Sequence, residues 1–373
     1  MKLSIIKETV PGEVRVAVTP ETIKKLTDLG HSITIESGAG AAAGFPDDAF
    51  TEAGGTIASD AASTISGSDL LMKVRGPTEA ETKSLPEGQV VIALMDPFKL
   101  DPKDLNARKA AALSMEFTPR ITRAQSMDAL SSQSNLAGYR AVIEGATIYG
   151  RALPMMMTAA GTIAPAKVFV MGAGVAGLQA IATARRLGGV VTATDVRPAA
   201  KEQVASLGAK FIAVEDDEFK EAETAGGYAK QMSDEYQKKQ AELVASHIAK
   251  QDIVITTALI PGRPAPVLVT EDMVKSMRPG SVIVDMAVSQ GGNCPLSKPD
   301  EIVDADGVKV AGFTNLPAHL PADASSLFAK NLLAFLPLIT AEDGSLNLDT
   351  DDEIVTAMLL TRNGETVNER LSQ

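Results

Sequence analysis

The 373-residue sequence predicts an α/β protein: two doubly wound domains on mostly parallel sheets, joined by long helices, with the first domain discontinuous. Three observations carry this. Residues 1–119 alternate short apolar strands with helical stretches. Residues 167–195 read as strand, glycine-rich turn, helix, second strand and terminal acid. After Pro317 the chain offers one helix and a hairpin, too little for a domain of its own. The expected partition is therefore 1–125 plus 318–373 for the first domain and 126–317 for the second.

In chain order, Leu3–Lys7 is a short apolar strand. Thr19-Pro20-Glu21 marks a helix start, with an N-cap hydroxyl, proline at the first helical position and an acid in the first turn. Leu29-Gly30 ends that helix, and His31–Glu36 alternates as a strand. Leu70–Val74, Val90–Met95 and Leu113–Phe117 are further strands, with Pro102–Ala112 helical before the last of them. Residues 124–148 predict one long helix, because Leu130, Leu136, Tyr139, Val142, Ile143 and Ala146 recur near helical spacing. Such a helix between two α/β units bridges them and can line a cleft. The second unit has strands at 167–171, Phe211–Val214, Asp252–Thr256, Ser281–Met286 and Val308–Phe313, with a Pro279-Gly280 turn. A helix follows at about Ser325–Leu338, then an Asn363-Gly364 hairpin signal, and this tail is expected to return to the first domain.

Composition narrows the function. Apolar residues make up 45% and charged residues 22%, enough for two cores. A net charge of −12 argues against nucleic acid and anionic lipid, both of which need basic surface. The single cysteine, Cys294, excludes an internal disulfide and reads as a small buried filler. The N-terminus reaches charge too soon for a signal peptide. Residues 168–184 are uncharged but carry glycine turn chemistry, and the late apolar run Leu332–Thr340 is too short for a span. The chain is expected to be soluble, with no transmembrane segment of its own.

The glycine-rich stretch is Lys167-Val-Phe-Val-Met-Gly172-Ala-Gly174-Val-Ala-Gly177, followed by Thr194-Asp195. This is a Rossmann-like fingerprint. Gly172 permits a tight turn, Gly174 lets backbone N–H groups approach a pyrophosphate, and Gly177 lets the helix pack against the sheet. Phosphates would sit at the positive end of the helix starting near Val175. Asp195 would accept hydrogen bonds from the adenosine ribose and repel a 2′-phosphate, favouring NAD over NADP; Val196 and Arg197, which follow it, complete that side of the expected site.

Two further segments invite a functional reading. Between Arg120 and Asn135, Arg120, Gln125, Asp128 and Ser131 crowd the start of the long helix. They are either a helix cap with a charged rim or a loop holding a nicotinamide ring and its ribose, and the density of polar groups favours the latter. Asp216–Gln240 is strongly polar around Ala225-Gly226-Gly227-Tyr228. It is either a solvated helix pair with a glycine loop or a flap whose Tyr228 closes over a nucleotide. The loops Thr256–Arg263, carrying Leu259, and Asp285–Asn293 follow strands where nucleotide-binding loops lie. The chain has three histidines. His31 and His247 read as structural and His319 as a weak candidate; no triad or metal pattern includes them. Oxidising an alcohol or amine needs a proton acceptor beside the reacting carbon, whereas hydride transfer between two nicotinamide rings needs none.

Together these motifs resemble the alanine dehydrogenase and transhydrogenase superfamily. The opening, Lys7-Glu8…Pro11-Gly12-Glu13-Val-Arg15…Pro20-Glu21, is similar to that of the whole superfamily. Arg120…Gln125…Asp128…Ser131, the glycine fingerprint with Asp195, Gly226-Gly227-Tyr228, Thr256-Thr-Ala-Leu259-Ile-Pro-Gly and Gly291-Gly-Asn-Cys294-Pro resemble one branch, the NAD(H)-binding component of proton-translocating NAD(P) transhydrogenases. The resemblance implies that Arg120, Gln125, Asp128 and Ser131 position the nicotinamide half of NAD(H), and that Tyr228 tips a mobile flap. It implies a homodimer docked on a membrane-spanning proton channel and a separate NADP(H)-binding subunit, at the cytoplasmic face of the inner membrane. Hydride would pass from NADH to NADP⁺, coupled to proton translocation, and the subunit alone would be inactive. Alanine dehydrogenases are the nearest alternative. Arg15 and Lys73 are counterparts of two of their residues, but Met95-Asp96-Pro97 stands where their catalytic histidine is expected.

Overall fold

The computed structural model describes residues 1–220, 232–349 and 351–371. They form two compact units: Met1–Gln133 with Pro317–Gln373, and Ser134–Leu316. The first boundary falls inside the long helix, later than the expected residue 125.

The first unit begins with six strands: β1 (Lys2–Ile5), β2 (Ser32–Glu36), β3 (Thr56–Ala58), β4 (Leu70–Arg75), β5 (Val90–Leu94) and β6 (Ala111–Ser114). They are parallel and lie in the order β3-β2-β1-β4-β5-β6, so the winding direction reverses between β1 and β4. Helix α1 (Pro20–Asp28) starts at Thr19, whose hydroxyl accepts the Thr22 N–H while Thr22 caps back. Two expectations fail here. Leu113–Phe117 is not one strand: β6 stops at Ser114 and Met115–Phe117 form a 3₁₀ turn. Glu116 causes this, its carboxylate accepting the Met95 and Asp96 N–H groups and the Ser114 hydroxyl, which pulls the chain over the end of β5. The helix expected over Pro102–Ala112 is only Lys103–Ala107. Lys109 takes a left-handed φ of +52° and the alanines after it enter the sheet fully buried, so burial overrides alanine's helix propensity.

A 3₁₀ turn over Thr122–Met127 precedes α2 (Ala129–Tyr149), which starts later than residue 124 because Asp128 caps it. The second unit carries an antiparallel pair, β7 (Met156–Thr158) and β8 (Gly161–Ile163). Its sheet is built from β9 (Lys167–Met171), β10 (Val190–Thr194), β11 (Lys210–Phe211), β12 (Ile253–Thr256), β13 (Val282–Asp285), β14 (Ile302–Ala305) and β15 (Val308–Gly312), ordered β11-β10-β9-β12-β13-β15-β14. The strand β14 was not foreseen; it pairs antiparallel with β15 across Asp306-Gly307, both at positive φ. Helix α3 (Val175–Arg186) crosses from β9 to β10.

The tail supplies α4 (Pro321–Phe335), a 3₁₀ extension to Ile339, and the hairpin β16 (Leu359–Arg362) and β17 (Glu365–Thr366) around Asn363-Gly364. The strand β16 pairs antiparallel with β6 and extends the first sheet. Pro321–Ile339 is long and apolar enough to cross a membrane. Here Phe328, Leu332, Phe335 and Leu336 are buried with Ile5, Ile35 and Phe50, so it is a core helix of the first unit.

Candidate nucleotide site

In the second unit, Met171 at the end of β9 lies beside Thr194 of β10 and Thr256 of β12. The strand order reverses at that point, and the chain turns there through Gly172 at φ +105°. Each fingerprint glycine meets a different surrounding. A Cβ on Gly172 would sit 2.4 Å from Thr257 Oγ1, and one on Gly177 would sit 1.8 Å from the Gly172 carbonyl oxygen. A Cβ on Gly174 would meet nothing within 4 Å. Two glycines thus close the turn onto its neighbours, and the third leaves open space at the helix N-terminus, the place a phosphate needs. Val175, the first residue of α3, is exposed. Gly138 of α2 matters similarly: a Cβ there would strike the Ala176 carbonyl oxygen at 2.0 Å, so only glycine lets α2 lie against the start of α3.

Asp195 directly follows β10. Its Oδ2 accepts the Ala173 N–H (2.7 Å), tying the acid to the glycine turn. Arg197 donates to it from the backbone (2.9 Å), from Nε (2.9 Å) and from Nη2 (3.1 Å). Val196 and Leu259 are 63% and 46% exposed, so each offers an apolar face to an incoming group. These surroundings fit a dinucleotide. Gly227 and Tyr228 lie outside the described residues.

The remaining candidates belong to the first unit. Asp128 accepts the Ser131 N–H (2.9 Å) and hydroxyl (2.5 Å), so these two form the cap of α2. Arg120 and Gln125 are exposed on the turn before it. Sequence reasoning missed what holds that turn. Asn331 of α4 donates to the Ser126 carbonyl (2.8 Å) and accepts from the Ser132 hydroxyl (2.7 Å). Arg123 makes a two-point ion pair with Asp352 (2.6 and 3.1 Å). The sequence signal for the first was Asn331 standing on the helical stripe of Phe328, Leu332 and Phe335.

Arg15 and Lys73 are buried among carboxylates of their own unit. Arg15 donates to both Glu13 oxygens (2.7 and 2.6 Å) and to Gln133 (2.7 Å). Lys73 lies 3.2 Å from Glu81 and 3.4 Å from Glu8. Burial acts to raise the Glu13 carboxyl, but hydrogen bonds and charge from Arg15, with Arg75 beside it, outweigh burial and hold it at about 2. Burial wins at Glu8 and pushes it up despite Lys73. His31 and His247 both have structural partners. The His31 Nδ1 lies 3.3 Å from the chain's amino terminus, and the His247 Nε2 lies 2.8 Å from the Thr192 hydroxyl. The Cys294 side chain is fully buried and burial pushes its thiol up, as suits a filler.

Known proteins match this chain along its length. Residues 4–137 match the family domain described as alanine dehydrogenase/PNT, N-terminal domain, and residues 141–369 the corresponding C-terminal domain. The Rhodospirillum rubrum protein named as the first part of NAD(P) transhydrogenase subunit alpha is 56% identical over 100% of this chain and 99% of its own length. A crystal structure of transhydrogenase from Sinorhizobium meliloti superposes with a TM-score of 0.89 at 52% identity, covering 98% of this chain and 100% of the other. Alanine dehydrogenase 1 of Staphylococcus aureus is 30% identical over 100% of this chain and 96% of its own.

Proposed function

The chain belongs to the alanine dehydrogenase/PNT family, and on that premise we propose that it is the NAD(H)-binding subunit of a proton-translocating transhydrogenase. The observation that carries this reading is the 56% identity, end to end, with the first part of a transhydrogenase subunit alpha, set against 30% with an alanine dehydrogenase. Gly172, Gly174, Val175 and Gly177 would hold the pyrophosphate, Asp195 the adenosine ribose, and Val196, Arg197, Gly227, Tyr228 and Leu259 would flank the nucleotide. Arg120, Gln125, Asp128 and Ser131 would orient the nicotinamide half. The bound dinucleotide supplies the hydride, which a second nicotinamide on an NADP(H)-binding partner accepts. The chain's own contribution is binding, orientation and exclusion of water. The chain would act as a homodimer with a membrane-spanning partner, peripheral at the cytoplasmic face of the inner membrane and inactive alone.

Amino-acid dehydrogenation is the second reading, favoured by the full-length match to an alanine dehydrogenase. Two features weigh against it. Arg15 and Lys73 are occupied by Glu13, Glu8 and Glu81, so neither cation is available to a substrate carboxylate. Met95-Asp96 follows β5, with no imidazole to take a proton. The test is a fluorescence trace of NADH added to the purified chain, followed by pyruvate with ammonium. Binding without oxidation is expected, and oxidation would replace this reading with the dehydrogenase one.

A further inference from the structure

Asn293 lies in a loop, yet it is fully buried, and every polar atom of its side chain is used. Its Oδ1 accepts the Ala258 N–H (3.1 Å), while its Nδ2 donates to the Ala258 carbonyl (2.9 Å) and the Pro266 carbonyl (2.8 Å). The amide thus pairs with both backbone groups of Ala258, as a neighbouring strand would. Its own carbonyl accepts the Leu268 and Val269 N–H groups (2.8 and 3.0 Å). Asp285, buried at the end of β13, fixes Asn293 in turn. Its carboxylate accepts the N–H groups of Asn293 (2.8 Å), Cys294 (3.1 Å) and Ala287 (2.9 Å) and the hydroxyl of Ser297 (2.6 Å). Gly292, at φ +81°, must be glycine because a Cβ would come within 2.8 Å of that carboxylate.

On its other side the held segment touches the fingerprint. The Thr257 hydroxyl donates toward the Gly172 carbonyl oxygen (3.2 Å). Leu259 and Ile260, immediately after Ala258, remain 46% and 44% exposed. Pinning this backbone before binding removes ordering entropy that a ligand would otherwise have to overcome. We infer that Asn293 is a positioning residue of the nucleotide site: it fixes the Thr257–Leu259 wall of the crevice where the strand order reverses. In a fold of this winding that wall lies away from the adenosine half, which Asp195 serves, and toward the nicotinamide half. This rests on the NAD(H) reading above.

The test compares two probes on the purified full chain. NADH is titrated by fluorescence and AMP, which carries only the adenosine half, by calorimetry. In Asn293→Ala the affinity for NADH is expected to fall tenfold or more while that for AMP stays within twofold. Asn293→Asp keeps the shape and the acceptor toward Ala258 but loses both donors. If the alanine variant does not fold, a fivefold or larger loss for NADH alone in Asn293→Asp supports the positioning role equally. Equal losses for both probes, or no loss for NADH in a folded variant, would overturn the positioning role. A wild-type chain that binds neither probe would overturn the nucleotide reading and this inference with it.

Discussion

Both units lay their first strand in mid-sheet, wind outward to a third, and return to place the fourth beside the first. The likeness reaches single residues. In the second unit Asp195, one residue beyond β10, accepts the N–H of Ala173, two residues beyond β9. In the first unit Glu36, at the end of β2, accepts the N–H of Lys7, two residues beyond β1 (2.8 Å). The acid is therefore common scaffolding. What differs is the turn it grips. Gly172-Ala-Gly174 leaves room at the helix start, whereas Ile6-Lys7-Glu8 sends a carboxylate back to accept the Val74 N–H of β4 (2.7 Å). One crevice is kept open by glycine, and the other is filled by the chain's own charges. Of the two parts of the fingerprint, it is the glycines and not the acid that differ between the two units.

Lys73→Met strikes hardest at this contrast. It leaves Glu8 and Glu81 beside each other with no cation, and uncompensated buried charge is worth about 3–5 kcal/mol. The urea midpoint should fall accordingly, while the folded variant binds NADH within about threefold of wild type. A large loss of NADH affinity with intact stability would mean the first crevice is a ligand site after all.

The pH dependence of stability separates the units next. Glu13 is held at about 2 against an ordinary 4.5, so its contribution is present above about pH 4.5 and lost as pH falls toward 2. That is on the order of 3 kcal/mol. Glu13→Gln should be less stable at neutral pH and show a flatter acid limb in circular dichroism. An unchanged acid limb would show that the ion pairs of the first crevice contribute little.

In the second crevice the expected effects are reversed. Gly177→Ala places a methyl 1.8 Å from the Gly172 carbonyl oxygen, which must push α3 off the turn. NADH affinity should drop about a hundredfold, roughly 2.7 kcal/mol. Wild-type binding by fluorescence would break the claim that the glycines define this site.

The sequence carries these features unevenly, for physical reasons. The fingerprint and the Thr19 cap are local: a turn with positive φ or a free N–H dictates residue type within a few positions. The long helix and the Asn363-Gly364 hairpin were legible in the same way. The shortened β6 was not, because Glu116 reaches across to a different strand for its partners. Nor were β3 and β14, which are three and four residues long and have weak periodicity. At the candidate site the same rule holds. Asp128 and Ser131 were visible as polar residues at a helix start, but the ties from Asn331 and Asp352 join residues some two hundred positions apart. The Asn293 bridge spans two loops, and its motif gave only the glycines that make room for it.

The smallest effect concerns Arg197, the ion-pair partner of the second unit's acid. Asp195 has an Arg197 guanidinium on both its oxygens, 2.9 and 3.1 Å away. The arginine is about one third exposed, so the pair contributes at most about 1 kcal/mol to stability. Removing it in Arg197→Ala should leave the melting temperature nearly unchanged and NADH affinity within about threefold. It should nevertheless weaken NADPH, because Asp195 then presents its negative charge unopposed to a 2′-phosphate. The ratio of NADH to NADPH affinity should therefore widen by about threefold, a difference of roughly 0.6 kcal/mol. Tighter NADPH binding in the variant would mean that Arg197, rather than Asp195, sets the preference, through bulk instead of charge.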